Sequence, residues 1–372
     1  MHDGRSGEAM IRRLLVRSLA VVTWVAIAIL LAIVIVPPFL DRIYYRGPAT
    51  AHFDGQHFFN PEGEQGNGGS RTRSPARWIG FLMRLDRPDW PEDVPVAAVR
   101  PAARIDGIGP GGVPALRVTW IGHATVVVQT RGLNILTDPI WSARASPVGF
   151  VGPRRVRAPA VRFADLPPID VVLVSHNHYD HLDLDTLERL WRRDRPLILT
   201  SLGNDAVLRR RGIPAVTRDW GGAVSLGHGM TAVVERVHHW GSRWGADRNR
   251  ALWSGFTLTM PGGNLYFAGD TGWGDGAWID AAAARGPIRL ALIPIGAYRP
   301  RALMSGNHIG PPEAVAVAER LHAAHALAIH WGTFQLADEG FGQAPRDLAA
   351  ALRGQRIDFR SPPPGAVWDV PG

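Results

Sequence analysis

Ser175-His176-Asn177-His178-Tyr179-Asp180-His181 follows directly on the apolar run Ile169-Asp170-Val171-Val172-Leu173-Val174, and no other stretch constrains the fold as tightly. A short β-branched run of that kind predicts a buried strand ending at Ser175. His176, His178, Asp180 and His181 then sit on the loop where the strand reaches the surface, the part of a fold that most often carries chemistry. Neutral imidazoles and a carboxylate suit zinc, with iron or manganese as alternatives. The chain contains no cysteine, which excludes thiolate sites and disulfides alike. The bland alternative is a His-rich solvated loop, which calls for no distant partners.

Such partners are present at three further strand ends. Residues 231–236 run into Val237-His238-His239-Trp240, residues 264–268 into Gly269-Asp270-Thr271-Gly272, and residues 327–329 into His330-Trp331-Gly332. Each delivers a His or an Asp where a strand stops. Successive strand residues point to opposite faces, so only one of His238 and His239 reaches a shared centre.

The rest of the pattern predicts a mixed α+β class. Short apolar runs at 115–120, 124–130, 133–137, 169–174, 197–201, 231–237, 255–260, 264–268, 290–295 and 326–330 alternate with turn signals. Met260-Pro261-Gly262-Gly263-Asn264 reads as a hairpin turn. Helices are predicted at 184–194 and 311–325, the second opening on Pro311-Pro312-Glu313, which suits a first helical turn. On that helix His322 and His325 fall at i and i+3 and read as one helix face. The mixed, non-repeating order argues against a barrel of eight equal units. His52, His57 and His228 have no evident partner.

These motifs resemble the metallo-β-lactamase fold, and within it the N-acyl-phosphatidylethanolamine-hydrolysing phospholipase D branch. The likeness is carried by Trp120-Ile121-Gly122-His123-Ala124-Thr125, Leu136-Thr137-Asp138-Pro139-Ile140, Arg144-Ala145-Ser146-Pro147, Gly152-Pro153, the 175–183 cluster, Ile295-Gly296-Ala297-Tyr298 and Ile329-His330-Trp331-Gly332-Thr333-Phe334. His52-Phe53-Asp54-Gly55-Gln56-His57-Phe58 resembles the family's N-terminal lead-in. The resemblance implies a four-layer αβ/βα sandwich with two metals, most simply Zn2+, at one edge. His176, His178 and His239 would hold the first metal, Asp180, His181 and His330 the second, and Asp270 would bridge them. His239 is preferred to His238 because it stands directly before Trp240, as the family's ligand does. Asp138 would accept the remaining N–H of a ligand imidazole. Asp180 and Asp270 thereby belong to the catalytic group, with a hydroxide shared between the metals as nucleophile. His308 joins them as a residue that binds the substrate phosphate or protonates the leaving group. His123 is expected to support loop architecture.

The first forty residues bear on where this chemistry takes place. Residues 18–40 carry no formal charge, and at about 1.5 Å per residue they span a bilayer core of roughly 30 Å. Arg12, Arg13 and Arg17 precede them, which predicts a cytoplasmic N-terminus and a catalytic domain on the other side, although Arg42 and Arg46 weaken the asymmetry. A cleaved signal peptide competes with an uncleaved anchor. The expected organisation is a basic segment at 1–17, a transmembrane anchor at 18–40, a linker and wrapping segment at 41–115, and the catalytic domain at 116–372.

Formal net charge is +8, with no lysine among the 41 basic residues. Such a balance favours anionic partners such as phospholipid head groups or nucleic acid. Nucleic acid is not expected, because Arg154-Arg155-Val156-Arg157 and Arg209-Arg210-Arg211 lack interleaved aromatics and read more readily as solvated faces than as binding patches. The resemblance implies a membrane-tethered phosphodiesterase that cleaves N-acyl-phosphatidylethanolamine to N-acylethanolamine and phosphatidic acid. The alternatives are a related hydrolase of a soluble phosphate ester or lactone and, less favoured, a non-enzymatic metal-containing binding protein. A homodimer is compatible with the family.

Overall fold

The computed structural model describes residues 4–40, 42–63 and 87–372; Asp41 and residues 64–86 of the expected linker lie outside the described residues. The chain divides into two units, Met1–Ile43 with Trp244–Asp247, and Tyr44–Arg243 with Arg248–Gly372. In the first, helix α1 (Gly4–Leu40) takes in both the arginines and the apolar run. Its stretch Met10–Ala32 is long and apolar enough to cross a membrane, and none of it is buried. An anchor and a signal sequence share that character.

The second unit is built on two seven-stranded mixed sheets. The first runs β14-β1-β2-β3-β4-β5-β6, from β1 (Leu116–Gly122), β2 (Thr125–Thr130), β3 (Leu133–Thr137), β4 (Val171–Val174), β5 (Leu197–Ser201), β6 (Val216–Arg218) and β14 (Val367–Asp369). The other runs β13-β12-β11-β10-β9-β8-β7, from β7 (Ala223–Gly227), β8 (Met230–Glu235), β9 (Gly255–Thr259), β10 (Asn264–Phe267), β11 (Ile288–Pro294), β12 (His325–Ile329) and β13 (Asp358–Arg360). Pairing is antiparallel from β14 to β3 and parallel from β3 to β6. It is likewise antiparallel from β7 to β10 and parallel from β10 to β13. Each sheet therefore repeats one plan, and the turn at 260–264 closes the β9–β10 hairpin as the sequence predicts.

Strand alternation sorts the core into layers. In the first sheet Val126, Val128, Ile135 and Leu173 join one cluster with Phe256, Leu258, Leu265 and Leu292 of the second. Their neighbours Val127, Leu136, Val172 and Val174 turn the other way. There they meet Leu187 and Leu190 of α2 (Leu184–Asp194) and Val207 and Leu208 of α3 (Asn204–Arg209). The second sheet packs against α4 (Ala277–Ala283), α6 (Pro311–Arg320) and α7 (Gln343–Ala351), while a single turn, α5 (Arg301–Met304), lies between β11 and α6. Sheet faces sheet, and helices cover the outer faces.

Several sequence expectations need correction. The second helix stops at Arg320, not 325. His322 takes a left-handed backbone conformation (φ 51°) in the following turn, and His325 opens β12 with its Nδ1 2.9 Å from Asp358 Oδ2. They share no helix face. Arg155 turns inward, donating to the carbonyls of Ile140 and Ser142 and lying over Phe334, while Arg157 lies over Trp331 and Phe341. The 154–157 run thus braces the loop that follows β3. His52, which showed no partner in the sequence, bonds Asp219 at 2.7 Å and stacks on Trp220. Its neighbours Phe53 and Phe58 are core residues, so residues 52–58 are folded in.

Candidate metal centre

Strand ends build the site. β4 leads into the 175–183 loop, where the amides of His181 and Leu182 both bond His178 O and tighten the turn. Asp183 ends it by accepting from the amides of Asp185 and Thr186 as the N-cap of α2. Arg243 clasps the same loop through the carbonyls of Asn177 and Leu182. Gly269 sits at φ +61° directly before Asp270, and a Cβ there would fall 2.7 Å from Ser175 Cβ. Only glycine allows the two loops to approach so closely. His123, Asp138, Ala297 and His330 also take positive φ. A non-glycine residue held this way costs about 1–3 kcal/mol, and such strain gathers at functional sites.

The structure brings together all the ligand residues expected from the sequence. His176 Nε2 is 2.8 Å and His239 Nε2 3.4 Å from His178 Nδ1. Across Asp270, the Oδ2 atom of that residue is 3.2 Å from His181 Nε2 and 3.0 Å from His330 Nε2. Asp180 Oδ2 lies 3.2 and 3.3 Å from the same two nitrogens. Asp138 Oδ2 lies 2.6 Å from His181 Nδ1 and takes the Ser175 hydroxyl hydrogen bond, while its Oδ1 accepts from the Ser175 amide. His308 lines the cleft beside Asp270, 3.9 Å from Nδ1 to Oδ2. His238 turns away to Glu62 at 2.5 Å, and Asn60 holds the His239 carbonyl at 2.9 Å.

His123 does more than the sequence reading allowed. Its carbonyl accepts from the His330 amide and from Trp120 Nε1, the architectural part expected of it. Its ring, however, places Nε2 2.9 Å from Asp180 Oδ2, inside a cluster with His181 and His330 that is itself dense enough to hold a metal. Its place on the β1–β2 turn, remote in sequence from the 175–181 cluster, concealed this.

Charge and unmet bonding capacity both suit cations here. Burial drives His176 and His239 well below the usual histidine range and His178 down to about 4, leaving neutral nitrogens pointed at one another. Burial opposes charge on His181 and His330 as well, yet there the carboxylates win. Asp270, Asp180 and Asp138 hold His181 well above its usual range, and Asp270 and Asp180 raise His330 to about 9. Negative charge is thus concentrated where a cation would sit. His181 Nε2 and Asp270 Oδ1 are buried without a hydrogen-bond partner, as metal ligands would be. The neutral imidazoles and carboxylates of this cluster suit divalent metal ions.

Residues 133–331 match the model of the β-lactamase superfamily domain. The chain is 38% identical over 270 residues to N-acyl-phosphatidylethanolamine-hydrolyzing phospholipase D 1 of Caenorhabditis elegans, covering 68% of this chain and 76% of that protein. The chain belongs to the metallo-β-lactamase superfamily. It is a metal-dependent hydrolase of that superfamily, similar to the phospholipase branch named by the worm protein. A further relative is the mitochondrial N-acyl-phosphatidylethanolamine-hydrolyzing phospholipase D of Saccharomyces cerevisiae, 33% identical over 60% of this chain and 49% of the yeast protein. Among solved structures, isothiocyanate hydrolase from Delia radicum gut bacteria shares the fold at TM-score 0.55 and 22% identity, over 68% of this chain and 98% of its own.

Proposed function

We propose that this metallo-β-lactamase-superfamily hydrolase is a membrane-held phosphodiesterase that cleaves N-acyl-phosphatidylethanolamine to N-acylethanolamine and phosphatidic acid. The observation that carries this reading is the cleft over the site. About 530 Å³ in volume, it joins His178, Asp180, Asp270 and His308 to a wall of Ala297, Ala302, Leu303, Met304 and Leu336. A polar floor beneath an apolar wall suits a phosphate carrying acyl chains. The similarity to two proteins named for this activity supports the same substrate class.

His176, His178 and His239 would hold one zinc ion, Asp180, His181 and His330 the other, with Asp270 between them. When bound, two such ions lower the pKa of water and stabilise negative charge on the attacking and leaving oxygens of a phosphoryl centre. His123 and Asp138 fix the orientation of Asp180 and His181. Burial lowers His308 to about 4, so its neutral ring would offer an N–H hydrogen bond from the cleft wall to the phosphate or to the departing ethanolamine oxygen. Water oxygen joins phosphorus, the bond from phosphorus to the ethanolamine oxygen breaks, and that oxygen leaves with a proton on the N-acylethanolamine. Helix α1 as an anchor would raise the effective concentration of bilayer substrate at the site. The preceding arginines support a catalytic domain on the non-cytoplasmic side.

The test is hydrolysis in oxygen-18 water with N-acylated and plain phosphatidylethanolamine, a soluble phosphodiester and a lactone side by side. The label is expected in phosphatidic acid, with the N-acyl amide intact. Label in a released fatty acid, or turnover of the lactone alone, would replace the phosphodiesterase reading with acyl chemistry.

A further inference from the structure

Beside the cleft, a loop presents apolar side chains to solvent. Ala145 lines the cleft itself, and the chain then runs through Ser146-Pro147-Val148-Gly149-Phe150-Val151-Gly152-Pro153 without a charged residue. Phe150 is 83% exposed, the most exposed large hydrophobic side chain among the described residues, and Val151 and Val148 are 55% and 37% exposed. Single exposed apolar residues are ordinary, but a contiguous uncharged tip at the rim of a binding cleft marks an interaction surface.

The base of this loop is closed. Ala145 N bonds Pro153 O, Arg155 N bonds Ala143 O, and Arg144 pairs with Arg154 in a β-bridge. Arg144 then reaches into the loop and donates to the carbonyls of Gly149 (3.1 Å) and Gly152 (2.6 Å), while Val148 N bonds Ser146 Oγ. Backbone groups that leave water without a partner are costly, and these bonds meet part of that demand inside the loop. Arg154, exposed at the base, places positive charge just behind the apolar tip. An apolar tip backed by arginine is the arrangement that enters an interface whose head groups are anionic.

We propose that residues 147–151 are a membrane-contacting tip, which seats Phe150 and Val151 in the surface of an anionic bilayer and holds the cleft mouth at the lipid. The occupant is a lipid surface because the tip borders the cleft through Ala145 and carries arginine behind it. The inference rests on the reading of that cleft as a site for bilayer substrates, and its own readout does not require turnover.

The absence of cysteine permits a direct test. Full-length Phe150→Cys, carrying a nitrobenzoxadiazole label, is reconstituted into vesicles of phosphatidylcholine and phosphatidylglycerol. The control is a label at Ala324→Cys, an exposed position before β12 and hence at the strand end opposite His330. The label at 150 is expected to shift to the blue and to be quenched by spin-labelled lipid, while the label at 324 does neither. A label at 150 that stays in water while the protein floats with the vesicles overturns the proposal. So does a blue shift that appears without vesicles as protein concentration rises, which would assign the tip to contact between copies. In parallel, Phe150→Asp is expected to lower product formation from vesicle lipid by about tenfold, from lost apolar burial, while sparing metal content and any activity on a short-chain soluble phosphodiester. Insertion of the tip without phospholipase activity would leave the tip standing and remove the substrate reading instead.

Discussion

Asp138 Oδ2 lies 2.6 Å from His181 Nδ1, and both side chains are wholly shut off from solvent. That contact leaves Nε2 as the only nitrogen of His181 able to reach a metal, and a carboxylate so placed raises the basicity of the imidazole it holds. Asp138→Asn is expected to weaken binding of the metal that Asp180, His181 and His330 would share by about 10–100-fold. Competition against a chromogenic chelator measures it; an unchanged affinity would mean that the negative charge of Asp138 is not needed to hold the His181 ring.

Asp270 faces His181 and His330 at 3.2 and 3.0 Å, and His239 at 3.9 Å. Asp270→Ala is therefore expected to reduce occupancy at both positions, whereas His239→Ala spares the second metal. Elemental analysis of gently purified protein should find close to two equivalents of metal in the parent chain. Full occupancy in Asp270→Ala would remove it from the bridging position.

His308 tests how far the ligand set extends. It touches the Asp270 side of the site and lines the cleft, and its Nδ1 is buried without a hydrogen-bond partner. His308→Ala is expected to lower turnover by about 10²-fold with metal content unchanged, the size of effect an acid–base group supplies. Loss of metal in this variant would make His308 a ligand; unchanged turnover would leave it a wall residue.

The N-terminal helix makes a prediction about location. Full-length protein should stay with membranes through alkaline carbonate extraction, and a reporter fused after Gly372 should behave as exported. Release by carbonate would favour cleavage or peripheral attachment, and activity of a strictly cytoplasmic reporter would reverse the orientation.

Burial decided what the sequence could reveal. Central strands such as β4 and β11 are buried along their whole length and appear as unbroken apolar runs. The four strands that escaped the pattern, β6, β7, β13 and β14, are the four edges of the two sheets. At an edge only part of a strand meets the core, as in Ala223–Gly227, where no residue is buried, so hydrophobic patterning fades. The ligand loop was legible because its residues are adjacent in the chain. The roles of His123 and of the Glu62–His238 pair were not, since Asp180 is 57 residues from His123 and Glu62 is 176 from His238. Contacts at that separation leave no local periodicity. The helix ending at Arg320 was overrun because Leu321 and Ala323 continue the apolar spacing after the backbone has turned.

The candidate ligands also come from opposite sides of a seam. His176, His178, Asp180 and His181 follow β4 in one sheet, whereas Asp270 and His330 follow β10 and β12 in the other. In a chain that has no cysteine, ions seated there would fasten the two sheets together, so stripping them should loosen the molecule as well as silence it. The melting temperature is expected to fall on chelation and to climb back with added zinc by mass action, reaching about 2.7 kcal/mol of stabilisation when free metal is a hundredfold above its dissociation constant. A melting curve indifferent to chelation would mean that the sheets are joined by apolar packing alone.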